Sequence, residues 1–333
     1  MISSSHPRVH VERLDDAKSI QVRVNGELFT SYLYPDTIMK PVLYPVVSEA
    51  GNRVTRGFPL ENVAGERVDH PHHIGIWMNF GDVNGLDFWN HSEAVPAERK
   101  EHFGTIRHRE ILDMREEGSE AHLTVSADWL RPGGSPLLSE KTTFRFCATA
   151  GVRIIDRTSV LTAVQEDVLF QDNKEGLMAI RVARGLEHPS EHPEILTDAK
   201  GHPQPEPEVR TDGVSGRFFS SEGVEGEAVW STRGPWMTLA GRLEEEEVSV
   251  ILLDHPSNPG YPTHWHARGY GLFAANPFGQ AAMHPDQTPL NFRLTQSESV
   301  TLQYRVVIHS GPRPSNHDIR RIYSRFGTDI GVS

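Results

Sequence analysis

Short runs in which apolar and polar residues alternate, each closed by turn residues, recur along the chain, and a period of two points to β-sheet. Ile20-Gln21-Val22-Arg23-Val24 alternates and ends at Asn25-Gly26, whose tolerance of positive φ predicts a type I′ hairpin. His122–Trp129, Thr143–Cys147, Val152–Ile155, Val248–Leu252 and Val300–Val306, continuing to Ile308, repeat the pattern. Gly133-Gly134 and the stretch Gly223–Gly226 punctuate these runs. About 20 such strands predict an all-β fold, one large two-sheet antiparallel β-sandwich spanning 1–333 as a single domain.

A single helix is predicted, over 315–326, and it closes the sandwich. Ser315 caps it, Asp318 is the acidic partner three residues on, and Gly327 is a suitable stop. Ile319, Ile322, Tyr323 and Phe326 fall on one stripe, which suits packing across a sheet. A weaker helical turn is expected over Ala97–Phe103. Residues 188–213 carry Pro189, Pro193, Pro203, Pro205 and Pro207 and no periodicity, the composition of a surface loop or lid.

Charge and cysteine content remove several function classes. The chain has 33 basic residues against 45 acidic ones, a net charge of −12, and no basic stripe, so nucleic acid is not expected as a partner. No apolar run approaches the roughly 20 residues of a membrane-spanning helix, so no membrane association is expected either. Met1–Pro7 lacks the basic and apolar regions of a signal peptide, which predicts a cytoplasmic protein. Cys147 is the sole cysteine: no intrachain disulfide can form, and its place in an alternating run makes it a strand residue. A homo-oligomer is left open.

Histidine is over-supplied, with 18 in the chain, and several cluster. Asp69-His70-Pro71-His72-His73 runs on to Trp77, and Asp87-Phe88-Trp89 and His91 follow shortly after. If this run is extended, His70 and His72 share one face and His73 the other, and Asp69 is placed to orient an imidazole through its N–H. His264-Trp265-His266 repeats the spacing and leads to Arg268 and Asn276. A third segment, Gln171-Asp172-Asn173-Lys174-Glu175, puts amides, carboxylates and an ammonium between apolar runs, with Arg181 beyond it. Such a group can bind several hydroxyls at once, and Trp77, Trp89 and Trp265 offer aromatic faces for sugar rings. A surface turn, and tryptophans that only fill the core, are the plainer readings of the same residues.

These segments resemble a bacterial family of unknown function labelled "methane oxygenase PmoA-like". The likeness rests on Asp69–Trp77, Val83–Trp89, Asn173–Gly176 through Arg181, and His264–Gly279, and it spans roughly Tyr34 to His309. Ile74 departs from the arginine associated with the first motif. A membrane methane monooxygenase subunit consists largely of transmembrane helices, which this chain lacks. The resemblance implies instead a relative of the galactose-mutarotase-type β-supersandwiches, which bind sugars in a groove on one sheet, and a place in carbohydrate catabolism.

The leading expectation is therefore a carbohydrate-active enzyme working by general acid/base chemistry, as an epimerase, mutarotase, lyase or hydrolase. His73 or His264 would move protons, Glu175 or Lys174 would be the partner, and Arg268 would steady negative charge. Asp69, His70, His72, Trp77, Asp87, Trp89, Gln171, Asp172, Asn173, Arg181, His266 and Asn276 complete the substrate-binding set. No cofactor is required. The first alternative adds a divalent metal on His70, His72, His264 and His266 for lyase or oxygen chemistry, although no Glu follows either pair in the H-x-H cupin manner. The second is a sugar-binding module without catalysis.

Overall fold

The computed structural model describes residues 7–329. Numbered along the chain, the first sheet runs β1 (Val9–Leu14), β2 (Ser19–Val24), β3 (Glu27–Leu33), β4 (Val42–Val46), β5 (Ile76–Phe80), β11 (Gly176–Arg181), β16 (Leu272–Asn276) and β15 (His264–Arg268). The second runs β12 (Arg217–Ser220), β13 (Trp236–Leu243), β14 (Glu246–Asp254), β18 (Ser299–Ser310), β9 (Val152–Ala163), β8 (Pro136–Thr149), β7 (Glu120–Leu130) and β6 (Thr105–Glu117). A two-stranded ribbon joins β10 (Val168–Phe170) to β17 (Phe292–Leu294). Every one of these pairings is antiparallel. The all-β, two-sheet antiparallel architecture with a C-terminal helix is the one the alternating pattern predicts.

Each alternating run lies inside a strand, and Asn25 and Gly26 join β2 to β3 with φ of 53° and 88°. Inward residues of both sheets, among them Phe29, Met78 and Phe80 from the first and Trp129, Phe144 and Phe146 from the second, share one apolar core. Each such side chain contributes about 1.5–3 kcal/mol by leaving water. A smaller cluster of Val42, Tyr44, Ile74, Trp77, Trp89, Ala179, Leu272 and Ala274 covers the other face of the first sheet. That outer face carries the chemistry.

The C-terminal helix spans Asn316–Asp329 and packs Ile319 and Phe326 on Trp236, Ile251, Leu253 and Val307. Ser315 caps it: its Oγ accepts the Asp318 N–H at 3.2 Å and its O–H donates to Asp318 Oδ2 at 2.6 Å. Gly327 does not stop it, because one glycine costs a helix only about 1 kcal/mol. The expected turn at 97–103 is a 3₁₀ helix, Ala97–His102. The proline-rich segment is irregular but tethered, with Leu196 fully buried and Arg67 bridged to it. Cys147 lies in β8, and burial raises its thiol to about 11, away from reactivity. Among the described residues no helix is long and apolar enough to cross a membrane.

Candidate functional site

Register assembles the outer face from four strands. Trp77 of β5 lies opposite Ala179 of β11, Ala179 opposite Ala274 of β16, and Ala274 opposite His266 of β15. The two alanines leave room in this row for Trp89, whose ring centroid is 5.3 Å from Trp77 and 6.3 Å from His266. Arg181, Leu272 and Arg268 form the neighbouring row. The 69–75 loop drops onto this surface through a sharp turn: Gly75 has φ +56°, and a Cβ there would stand 2.2 Å from the Leu43 carbonyl oxygen. His70 also has positive φ, 43°, a conformation that costs a non-glycine residue and persists only where its surroundings enforce it.

The enforcement is ionic. Asp69 Oδ1 accepts from Arg56 Nη1 and Arg181 Nη2, each at 2.6 Å, and both arginines are buried. Arg56 also donates to the carbonyls of Asp69, His70 and His73, at 2.8, 2.9 and 3.2 Å, so one guanidinium holds the loop backbone. Burial opposes ionisation of Asp69, but the contact with His70 and the charges of Arg181 and Arg56 outweigh it and hold the carboxyl well below the usual range. Burial and the neighbouring Arg181 lower Arg56 itself to about 9. Glu187, buried at 1% exposure, receives Arg67 at 3.2 Å and Arg184 at 3.1 Å and extends the network beneath the site.

On this base stands a stack of rings. His70 lies parallel to His73 at 4.8 Å and to Tyr270 at 4.9 Å, and His73 stacks on Trp77 at 5.3 Å. His70 Nδ1 is 3.2 Å from Asp69 Oδ2, a charge contact without hydrogen-bond geometry, and its side chain is 39% exposed. Its neighbours are not exposed. His73 is 1% exposed and its Nδ1 faces Arg181 Nη1 at 3.3 Å. Burial, aided by His72 and Arg181, drives His73 well below the ordinary imidazole range. Burial, with Lys40 and His70, lowers His72 to about 2, and burial with Arg268 and Lys174 lowers His266 to about 3. These three imidazoles are neutral packing groups.

The third segment reaches the same surface. Lys174 is exposed, its Nζ lies 3.8 Å from Glu175 Oε1, and Glu175 Oε2 accepts from Asn90 Nδ2 at 2.6 Å. Asp87 fixes Asn90, accepting from its backbone at 2.9 Å and its amide at 2.8 Å, and also accepts the Trp89 N–H at 2.8 Å. Asp69 and Glu175 both act on the Tyr270 hydroxyl, while Arg268, Lys174 and His70 act on His266. The three histidine- and carboxylate-bearing segments therefore meet on one face.

Several expected roles do not survive this arrangement. His73 is too buried to exchange protons with a substrate. His264 is also buried, at 1% exposure, and packs on His284 at 5.1 Å; burial and Arg233 lower it to about 4. Trp77, Trp89 and Trp265 are at most 1% exposed and offer no face to a sugar; the Trp265 indole lies in the inter-sheet core and donates to the Gly234 carbonyl at 3.1 Å. Asp172 caps a short helix, α1 (Gln280–Met283), by accepting from Ala281 and Ala282, each at 2.8 Å. Asn276 is buried and donates to the Asn173 carbonyl at 2.8 Å, Asn173 Oδ1 accepts from the Glu175 N–H at 2.9 Å, and Gln171 is exposed. Arg181 is fully buried and positions Asp69 and His73. Among the described residues no three His, Cys, Asp or Glu side chains are placed to hold a metal ion, so His70, His72, His264 and His266 form no ligand set.

Arg56, Tyr270, Asn90 and Lys40 complete the site without having been singled out from the sequence. Tyr270 lies two residues beyond Arg268, and Asn90 directly after Trp89, so proximity to the motifs was their only signal. Arg56 and Lys40 carry none: each is an isolated basic residue that only the fold buries. Lys40 Nζ donates to the His72 carbonyl at 2.7 Å and sits 5.4 Å from the Trp77 ring centroid.

Three solved structures illustrate what the chain is similar to. Galactose 1-epimerase from Lactobacillus acidophilus NCFM is 9% identical over 92% of this chain and 100% of its own, with a TM-score of 0.38. A galactose mutarotase-like protein from Clostridium acetobutylicum is 8% identical over 92% of this chain and 99% of its own, at 0.36. The GH36 alpha-galactosidase AgaA from Geobacillus stearothermophilus is 10% identical over 92% of this chain, at 0.40, and the chain spans only 41% of its length. Likeness at this level carries nothing about chemistry, and the methane oxygenase label does not appear in it. No curated protein matches the sequence. Residues 19–324 match the model of a family of unknown function, DUF6807, and the chain belongs to that family.

Proposed function

We propose that the outer face of the first sheet binds a small sugar or sugar derivative and interconverts it by proton transfer, in an epimerase- or mutarotase-type reaction. The observation that carries this reading is His70, an accessible imidazole backed by Asp69 and held in a strained conformation by two buried arginines. Strain and buried charge of this kind are maintained where a side chain must be held in place. Glu175, fixed by Asn90, is the second proton carrier, and Lys174 and Arg268 supply positive charge for developing oxyanions.

In anomer exchange one group removes the proton of the anomeric hydroxyl while the other protonates the ring oxygen. The ring opens, the carbonyl turns over, and closure returns both protons, so nothing is consumed. Hydrolysis by two carboxyls suits this surface less well, because Asp69 is committed to Arg56, Arg181 and His70 and is held ionised. The test is to add the protein to freshly dissolved α-D-galactose, α-D-glucose and the corresponding uronic acids and follow the anomers by NMR. Faster equilibration of at least one is expected. Saturation transfer to a sugar whose anomers do not exchange faster would reduce the site to a binding surface, and neither effect would overturn the reading.

A further inference from the structure

The loop that carries His70 also walls a second cleft, of about 430 Å³, through Pro71 and Ile74. Ile38, Phe58, Leu60 and Ile74 make it largely apolar, and Lys40 and His91 are its nitrogen bases. Lys40 is 2% exposed, whereas Lys18, Lys100, Lys141, Lys174 and Lys200 all reach solvent. Its Nζ makes one hydrogen bond, to the His72 carbonyl, and among the described residues no carboxylate pairs with it. A buried ammonium without a counter-ion is costly and the free amine is not, and burial accordingly brings Lys40 to about 7 against the opposing charge of Asp87.

His91 stands in the same cleft at 7% exposure. Its Nδ1 lies 2.9 Å from the Gly104 carbonyl oxygen, so this nitrogen carries the proton and Nε2 the lone pair. That Nε2 is buried and has no partner in the protein. Burial lowers His91 below the ordinary imidazole value, and the charges of Lys100 and Lys40 add to it. An amine partly unprotonated at neutral pH and an unpartnered base, both lining one apolar cleft, are the arrangement that makes a lysine nucleophilic.

We propose that Lys40 is a carbonyl-reactive amine and that this cleft takes up small aldehydes or ketones with an apolar body as an imine on Nζ. The amine lone pair attacks the carbonyl carbon, the C–N bond forms, and the carbonyl oxygen becomes a hydroxyl. Loss of that hydroxyl as water gives the imine. His91 Nε2 relays both protons that the nitrogen sheds to the carbonyl oxygen, the first making the hydroxyl and the second releasing it as water. No oxidant or reductant is involved, and none of the proton carriers assigned to the sugar site takes part, so either proposal can fail alone.

The experiment treats the whole protein with pentane-2,4-dione, which condenses with an unprotonated lysine amine to an ultraviolet-absorbing enaminone, and maps the product by peptide mass spectrometry. Lys40 is expected to be labelled first, at least about tenfold faster than Lys100 or Lys174, and His91→Gln to slow it by a similar factor. Lys40→Met should remove the fast absorbance phase. Complete labelling of the exposed lysines with the Lys40 peptide unmodified would show that Lys40 only tethers the 70–73 loop and would overturn the proposal. That comparison needs no variant, and an unchanged rate in His91→Gln would overturn the role given to His91.

Discussion

Asp69 is the residue on which the site depends, because it neutralises two guanidiniums that water cannot reach. Removing one partner of a buried ion pair costs about 3–5 kcal/mol, since the remaining charge keeps its burial and loses its compensation. Asp69→Ala should therefore lower the unfolding free energy by about that much in urea titrations, with Arg56 losing its ion pair and Arg181 left with Glu187 Oε1 at 3.8 Å. A loss under about 1 kcal/mol would mean that Arg56 and Arg181 find other partners. The sequence makes the Asp-His-Pro-His-His cluster visible as chemistry but not the division of labour within it. His70 and His73 are three residues apart, and nothing in their spacing says that one reaches solvent while the other packs under Trp77. That outcome is set by Arg56, 14 positions upstream of His70, gripping the loop carbonyls.

At the scale of elements, local rules carry further. The C-terminal helix was legible because its cap, stripe and acidic partner lie within a few residues of one another, and only its far end differs from expectation. Ser315→Ala should cost about 0.5–2 kcal/mol of stability, read from the thermal midpoint, because the Asp318 N–H loses its acceptor. The strands were legible for the same local reason, and the hollow above Ala179 and Ala274 was not, since those alanines become neighbours only through sheet register. Gly75 joins the two levels. Gly75→Ala forces a Cβ toward the Leu43 carbonyl at positive φ and should destabilise by more than about 1 kcal/mol, with the β4–β5 pairing as the first casualty in hydrogen exchange. Asp172 shows the converse limit: its polar run looks like a site rim, yet it caps α1 from 109 positions upstream of Ala281.

At the scale of the whole molecule, a set of buried histidines held neutral gives the stability a direction with pH. Burial lowers His72, His264 and His266 to about 2, 4 and 3, and His73 well below its ordinary value. An unfolded chain protonates these groups near pH 6.5 and the folded one does not, so their contribution is complete above about pH 6.5 and lost as pH falls. Each is expected to add a slope of up to about 1.4 kcal/mol per pH unit below that point, until its folded value is reached. Urea unfolding at pH 7.5, 6.5 and 5.5 should show a steep fall over the last interval that is shallower in His72→Gln; a flat profile would mean that these imidazoles are not desolvated. The most direct test of the site itself compares His70→Gln with His264→Gln in anomer exchange of whichever sugar the wild type converts. His70→Gln should slow exchange by about 10²- to 10⁴-fold while His264→Gln stays near the wild-type rate. Wild-type turnover in His70→Gln, or its loss in His264→Gln with the fold intact, would contradict the assignment of proton transfer to the outer face of the first sheet.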